Sequence, residues 1–254
     1  MAPDLSRVRV RLIQIRDNPD VLTEERESFR ERAALEDEQI VATNAIRDPL
    51  TRDVLEDVDA VLIGGAGAYS VTQTYEWTQD LIDLCHACAD LEVPLFGSCW
   101  GHQMIGRAFG GEVVNDPSKS EMGTHRVDVT EAGQSDPLFS TLPSPFYAQQ
   151  GHQDRVSTLP PGAVEIATND RSSNQAFRLE GLPIYGTQFH SELNAETERQ
   201  RLIAYRSHYP EMADDDAFQA VLDAVRDSPD ADDLLRRFLL LYAVEGGADE
   251  LASL

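Results

Sequence analysis

The sequence predicts an α/β fold, a mostly parallel sheet with helices on both faces. Three observations predict it. Short apolar runs alternate with segments of helical spacing from residue 7 to residue 111. The run "VDAVLIGG" is apolar almost throughout, the pattern of a strand buried on both faces. A chain of 254 residues is long enough for the core of one large domain and short for two.

The elements follow in order. "RVRVRLIQI" (7–15) alternates and then turns apolar, which predicts a first strand. "PDVLTEERESFRERAAL" has helical spacing with charge on one face. "EQIVATNAI" and "VDAVLIGG" predict the second and third strands. "TYEWTQDLIDLCHACADL" predicts an amphipathic helix, and "VPLFGS" a fourth strand. "WGHQMIGRAFGG" predicts a helix stopped by its terminal glycines. From about 112 to 190 the segments are shorter and richer in strand: "GEVVND", "HRVDVT", "SPFYAQQ", "GAVEIATN", "NQAFRL" and "LPIYGTQFH". A helix, "NAETERQRLIAYRSHY", comes next. Two acidic helical stretches, "DDAFQAVLDAVRD" and "DADDLLRRFLLLYAV", close the chain, punctuated by Pro210 and Pro229. There is no internal repeat and no long linker. The expectation is one domain over 1–254, with a core of about 8–205 and an acidic helical extension over 206–254.

Composition narrows the partners. The formal net charge is −24, and Lys119 is the single lysine. Such a surface repels nucleic acid and anionic membranes, so neither is an expected partner. The preferred reading is a solvated acidic face, suited to a salty medium where charges are screened. No apolar run approaches the roughly 18 residues of a membrane span. The N-terminal stretch lacks the apolar segment of a signal peptide, so the expected location is cytoplasmic. Cys85, Cys88 and Cys99 form no disulfide framework.

One stretch carries chemistry. In "PLFGSCWGHQMIGRAFGG", Cys99 sits where a strand turns into a helix, with Gly97 and Gly101 on either side. A nucleophile held on a tight turn needs such glycines, as in the G-x-S-x-G elbow of hydrolases. Ligands of open α/β sheets bind at this end of the strands. A helix N-terminus favours a thiolate there. A buried cysteine beside a turn is the competing reading. A nucleophile also needs a base, and the base an orienting group. His190 ends the strand "LPIYGTQFH", and Glu192 lies two residues on. Residues i and i+2 of extended chain point the same way, so Glu192 can fix the imidazole.

G-x-C-x-G-x-Q at an elbow with a late H-x-E resembles the class I glutamine amidotransferase family. "LIGGAGAYSV" is similar to the family's glycine loop after the third strand. "GHQDRVSTLPPGAVEIATND" is similar to the segment before the histidine strand in GMP synthetase amidotransferase domains and stand-alone relatives. The resemblance spans about residues 8 to 205. It implies a three-layer, flavodoxin-like sandwich with a mostly parallel central sheet, a small antiparallel sheet addition and a C-terminal helical extension. It implies that Cys99 attacks a glutamine side-chain amide to form a γ-glutamyl thioester. His190, oriented by Glu192, would move the protons. The backbone amides of Gly65 and Trp100 would form the oxyanion hole. Gln103, His152 and Gln153 would hold the substrate. No cofactor and no metal are implied. Three departures stand out: Ser98 where an aliphatic residue is commoner, Ser191 in place of proline before Glu192, and Ala66 in the glycine loop. Losing the proline leaves the orientation of Glu192 less constrained.

Other signals are weaker. Cys85, His86 and Cys88 suggest metal, but Leu81, Leu84, Cys85, Cys88 and Leu91 form a helical apolar stripe, so core packing is expected. "GGAGAYS" lacks the full G-x-G-x-x-G of a dinucleotide loop. His102 lies on the helix after the elbow and is expected to project away from the line of attack. His125 and His208 have no constellation around them. The C-terminal helices are expected to pack as a surface extension, a partner contact or a homodimer contact being the alternatives. Three functions fit: a self-contained hydrolase of glutamine or another γ-glutamyl compound, like the γ-glutamyl peptidases of the family; an amidotransferase subunit passing ammonia to a separate synthase subunit; or a non-catalytic binding module. The chain has no P-loop with which to activate an acceptor itself.

Overall fold

The structure, a computed structural model, describes residues 4–209, 212–245 and 247. Its first half runs β1 (Val10–Gln14), α1 (Pro19–Arg32), β2 (Ile40–Asn44), β3 (Ala60–Ile63), α2 (Thr78–Asp90), β4 (Leu95–Ser98) and α3 (Trp100–Ala108). Then come β5 (Glu112–Asn115), β6 (Glu121–Val129), the short α4 (Glu131–Gln134), β7 (Phe146–His152), β8 (Asp154–Thr158), β9 (Ala163–Thr168), β10 (Ala176–Leu179) and β11 (Ile184–Thr187). The chain ends in α5 (Ala195–Tyr205), α6 (Asp215–Ala224) and α7 (Leu234–Tyr242).

One nine-stranded sheet has the order β2-β1-β3-β4-β11-β10-β9-β6-β7. From β2 to β11 the neighbours are parallel. From β11 outward the pairing is antiparallel. A separate antiparallel ribbon joins β5 to β8. In the parallel half the strands alternate cleanly. Leu12, Leu62, Phe96 and Tyr185 face the core shared with α1 and α7. Ile13, Val61, Ile63, Leu95 and Ile184 face the core shared with α2 and α3. Burying both faces of a parallel sheet under helices makes the three-layer, flavodoxin-like sandwich.

The structure corrects several element boundaries. β8 is not among the strands the sequence predicts; its polar residues gain strand geometry by pairing with β5 across the ribbon. α2 starts at Thr78, not Thr74, because Thr78 closes a turn with Tyr75: its Oγ1 accepts from the Tyr75 amide at 2.8 Å. The Tyr75 and Trp77 rings stack 4.7 Å apart ahead of the helix. The α2 stripe ends at Cys88, since Leu91 caps the helix and is 50% exposed. β11 ends at Thr187, so His190 lies beyond the strand and is held by a lone bridge to Gln149. The C-terminal helices differ from each other. α6 packs on β6 at the surface with a small cluster around Phe218. α7 builds into the main core through Leu234, Leu235, Phe238 and Leu239. Pro210 lies outside the described residues. No helix among the described residues is long and apolar enough to cross a membrane.

The net charge of −24 makes the folded surface self-repelling at low ionic strength. Molar potassium chloride shortens the Debye length to about 3 Å and should relieve that repulsion. The melting temperature is therefore expected to rise from low to molar salt. Each kcal/mol of relief corresponds to about 2–4 °C for a chain of this size. Melts that fall with salt would show that the acidic surface is not self-repelling.

Candidate active site

The elbow is built by close approach. Cys99 adopts φ 49° and ψ −98° between β4 and α3. That region is strained for any residue with a side chain and persists only when its surroundings over-determine it. They do so here. A Cβ on Gly97 would lie 2.4 Å from the carbonyl carbon of Gly101, and one on Gly101 would lie 2.4 Å from the Ile63 carbonyl oxygen. Both glycines are required because α3 begins in backbone contact with β4 and β3. The turn leaves the Cys99 side chain at the carboxyl end of the parallel strands, only 7% exposed. Its Sγ lies 3.8 Å from the Gly151 carbonyl and 3.7 Å from Gln188 Nε2. The first amides of α3 have no intrahelical acceptor and present the helix's positive end nearby.

His190 and Glu192 meet as the i, i+2 spacing predicts. His190 Nδ1 lies 2.6 Å from Glu192 Oε1, and the His190 amide donates to Gln149 at 2.9 Å. Glu192 Oε2 accepts from Ser98 Oγ at 2.7 Å. Ser98 is therefore not a bland departure. It holds the second carboxylate oxygen of Glu192. Burial disfavours charge on His190, but Glu192 and Cys99 outweigh it and push its pKa well above the usual imidazole value. Burial also works against charge on Glu192. The His190 charge, hydrogen bonds from His190 and Ser98, and Arg201 together hold it down at about 2. An ionised carboxylate only accepts, so Nδ1 carries a proton and Nε2 is left for the thiol. A Cβ on Gly151, whose carbonyl touches the thiol, would lie 3.9 Å from that Nε2.

The other expected residues divide. Gln103, His152 and Gln153 all line one cavity of about 180 Å³ with Cys99 and Trp100. Gln103 Nε2 donates to the Asp154 carbonyl at 2.7 Å and to Gln188 Oε1 at 3.2 Å. His152 is buried between Glu121 Oε2 and the Asp154 carbonyl, each 3.1 Å from a ring nitrogen. The amide of Gly65, the other expected oxyanion donor, donates to Glu25 Oε1 at 3.2 Å. Glu25 is buried on α1 and pairs with Arg16 at 2.8 Å, just beyond β1. In this conformation the Gly65 amide is engaged there, and binding an oxyanion requires it to exchange that acceptor.

Some residues near the thiol carry no signal in the motifs. Gln188 bridges Gln103 and the thiol. The alternation that places Glu192 beside His190, run backward by two, finds it. Glu121 is buried and also accepts from Gln175 at 2.6 Å and Asn169 at 2.8 Å, so it fixes His152. Burial raises its pKa, but the interaction with His152 outweighs that and keeps it low. No local pattern announces it. His208, which has no constellation in the sequence, lines the large cavity together with Tyr209. His125 hydrogen-bonds the Met122 carbonyl at 2.9 Å and lies 3.6 Å from Glu121. His102 is fully buried against Phe177, and burial lowers its pKa to about 3. It points into the core, as its place on α3 predicts. Cys85 and Cys88 pack in the α2 core, where burial pushes Cys85 well up and Cys88 to about 12.

Comparison with known proteins places this arrangement. A sequence model of the family described as glutamine amidotransferase class-I matches residues 30–207. The chain is 31% identical over 153 residues to a subunit of the glutamine-hydrolyzing GMP synthase of Archaeoglobus fulgidus, covering 60% of this chain and 76% of that one. It is 33% identical over 144 residues to the Pyrococcus abyssi protein of the same name, covering 57% and 73%. A glutamine amidotransferase structure from Thermotoga maritima superposes with a TM-score of 0.73 at 22% identity, covering 93% of this chain and 98% of that one. One from Methylobacillus flagellatus gives 0.71 at 24% identity, covering 92% and 95%. The two structures share the fold. The chain belongs to the class I glutamine amidotransferase family.

Proposed function

We propose that the protein hydrolyses the side-chain amide of glutamine through a γ-glutamyl thioester on Cys99. One observation carries this reading. Ser98 holds Glu192, Glu192 lies 2.6 Å from the His190 ring, and His190 lines one cavity with Cys99, the neighbour of Ser98 at a strained elbow. Glutamine enters the cavity of about 180 Å³, where Gln103, His152 and Gln153 surround its amino-acid end. The Cys99 thiolate attacks the amide carbon. The imidazolium of His190 gives its proton to the departing nitrogen, and ammonia leaves. Glu192 stays ionised throughout, holding the ring and its charge. The Trp100 amide at the start of α3 stabilises the oxyanion, joined by Gly65 once its amide turns from Glu25. One such donor is typically worth about 10²–10³ in rate.

The relatives named as subunits of glutamine-hydrolyzing GMP synthase support a second step, delivery of the ammonia to a separate synthase chain. Hydrolysis of a γ-glutamyl peptide is the competing activity. Purified protein mixed in parallel with glutamine and with a γ-glutamyl dipeptide separates them by the glutamate released. Glutamine is expected to be cleaved faster, and to be cleaved faster still when the synthase chain is added. Release from the dipeptide alone would assign a peptidase.

A further inference from the structure

A second cavity touches Cys99 and His190 and is not lined by Gln103. It measures about 30 Å³ and is lined by Glu198, Arg201 and Tyr205 of α5, together with Arg16 and Tyr209. It meets the large cavity at Cys99, Gly151 and the Ala66–Gly67 loop. Tyr209 stands at that junction, its hydroxyl donating to the Gly151 carbonyl at 3.2 Å.

Two groups in this chamber are unusual. Glu198 is 1% exposed, and its Oε1 has no hydrogen-bond partner among the described residues. Arg201 is 8% exposed. Its Nε and Nη2 are taken by Glu24, while among the described residues Nη1 has only a distant ion pair, 3.9 Å from Glu25. A buried polar atom without a partner is destabilising. Two residues that carry such atoms line one small cavity, which marks it as a place for a polar molecule. Size limits which one. A water needs about 10–15 Å³ of such space and 2–4 polar partners. Glutamine is far too large. The partners also discriminate by chemistry. Burial raises the Glu198 pKa to about 7, so the ionised form is well populated near neutrality. Arg201 Nη1 only donates, and an ionised Glu198 Oε1 only accepts. Water can accept from the first, donate to the second and still donate a proton to the His190 ring. Ammonia accepting from Arg201 would spend its single lone pair.

We propose that this chamber binds the water that hydrolyses the thioester, with Glu198 and Arg201 as positioning residues. The inference rests on the thioester reading above. While the γ-glutamyl group fills the cavity lined by Gln103, the smaller one, which also touches Cys99 and His190, is there to hold the nucleophile. His190 takes one proton from the water as the water oxygen bonds to the thioester carbonyl carbon. The tetrahedral intermediate collapses with cleavage of the C–S bond, and the electron pair returns to Cys99. The products are the γ-carboxyl group of glutamate, the Cys99 thiolate and the His190 imidazolium.

The test is Glu198→Gln, which keeps the shape and changes the acceptor. In single-turnover mixing with glutamine, followed by intact-protein mass, thioester formation should match the wild type. Its decay should be slower by about tenfold or more. In steady state kcat should fall while kcat/KM is unchanged, because the latter reports only steps through loss of ammonia. Parallel loss of kcat and kcat/KM, or unchanged decay, would overturn the proposal. A crystal structure of the wild type provides a check independent of the variant. An ordered water within hydrogen-bond distance of both Glu198 Oε1 and Arg201 Nη1 supports it, and a dry chamber refutes it. If the wild type forms neither adduct nor ammonia, the thioester reading itself fails.

Discussion

Cys99→Ala is expected to abolish glutamine hydrolysis, by about 10⁴-fold or more, while the fold persists. Removing the nucleophile of a covalent mechanism leaves only binding and oxyanion stabilisation. The elbow should survive because its geometry comes from Gly97 and Gly101, which bring α3 onto β4 and β3, and not from the thiol. The same experiment distinguishes the three cysteines. A chloroketone analogue of glutamine should label Cys99 alone in the wild type and nothing in Cys99→Ala. Cys85 and Cys88 lie in the α2 core, with their thiol pKa values pushed up by burial. Labelling of either with Cys99 untouched would remove Cys99 from the mechanism.

His190→Ala should lower kcat by about 10³–10⁴, and Glu192→Gln by about 10². In the proposed mechanism the histidine moves the proton, and the glutamate orients and stabilises it. His102 cannot substitute, being neutral and sealed against Phe177. Ser98→Ala should fall between Glu192→Gln and the wild type, since it frees one carboxylate oxygen and leaves the His190 contact. Stability should report the same pair. His190 has a raised folded-state pKa, so its contribution is full below the unfolded value near ~6.5 and is lost as pH rises through the raised one. Glu192 is lowered to about 2, so its contribution is present above the unfolded value and is lost as pH falls toward 2. The stability gap between wild type and Glu192→Gln should therefore be widest between about pH 5 and 6.5, and narrow on both sides. A gap that is flat with pH, found with denaturant melts, would mean that the ion pair does not form.

Much of the site was legible because it is local. The parallel strands show as apolar runs, since each is buried on both faces whatever helix covers it. The elbow shows as two glycines around Cys99, since Gly97 approaches Gly101 within five residues, although Gly101 itself meets Ile63 of β3. His190 and Glu192 show as a pair, since alternation acts over two residues even beyond the end of β11. The boundaries of α2 and β11 were less legible, because a turn at Thr78 and a lone bridge at His190 override helical and strand patterning.

The sequence by itself determined the parallel α/β core, the cysteine on its strained turn and the histidine–glutamate pair. Each follows from spacing within a few residues, where backbone geometry dictates which side chains meet. Only the tertiary structure decided that Ser98 holds Glu192 across 94 positions, and that Gly65 donates to Glu25 across 40. It alone decided that α7 completes the main core and that Glu198 and Arg201 line one cavity with Cys99. Those contacts join segments far apart in the chain. They depend on which faces pack together when the core closes, and no periodicity within one segment encodes its distant neighbour.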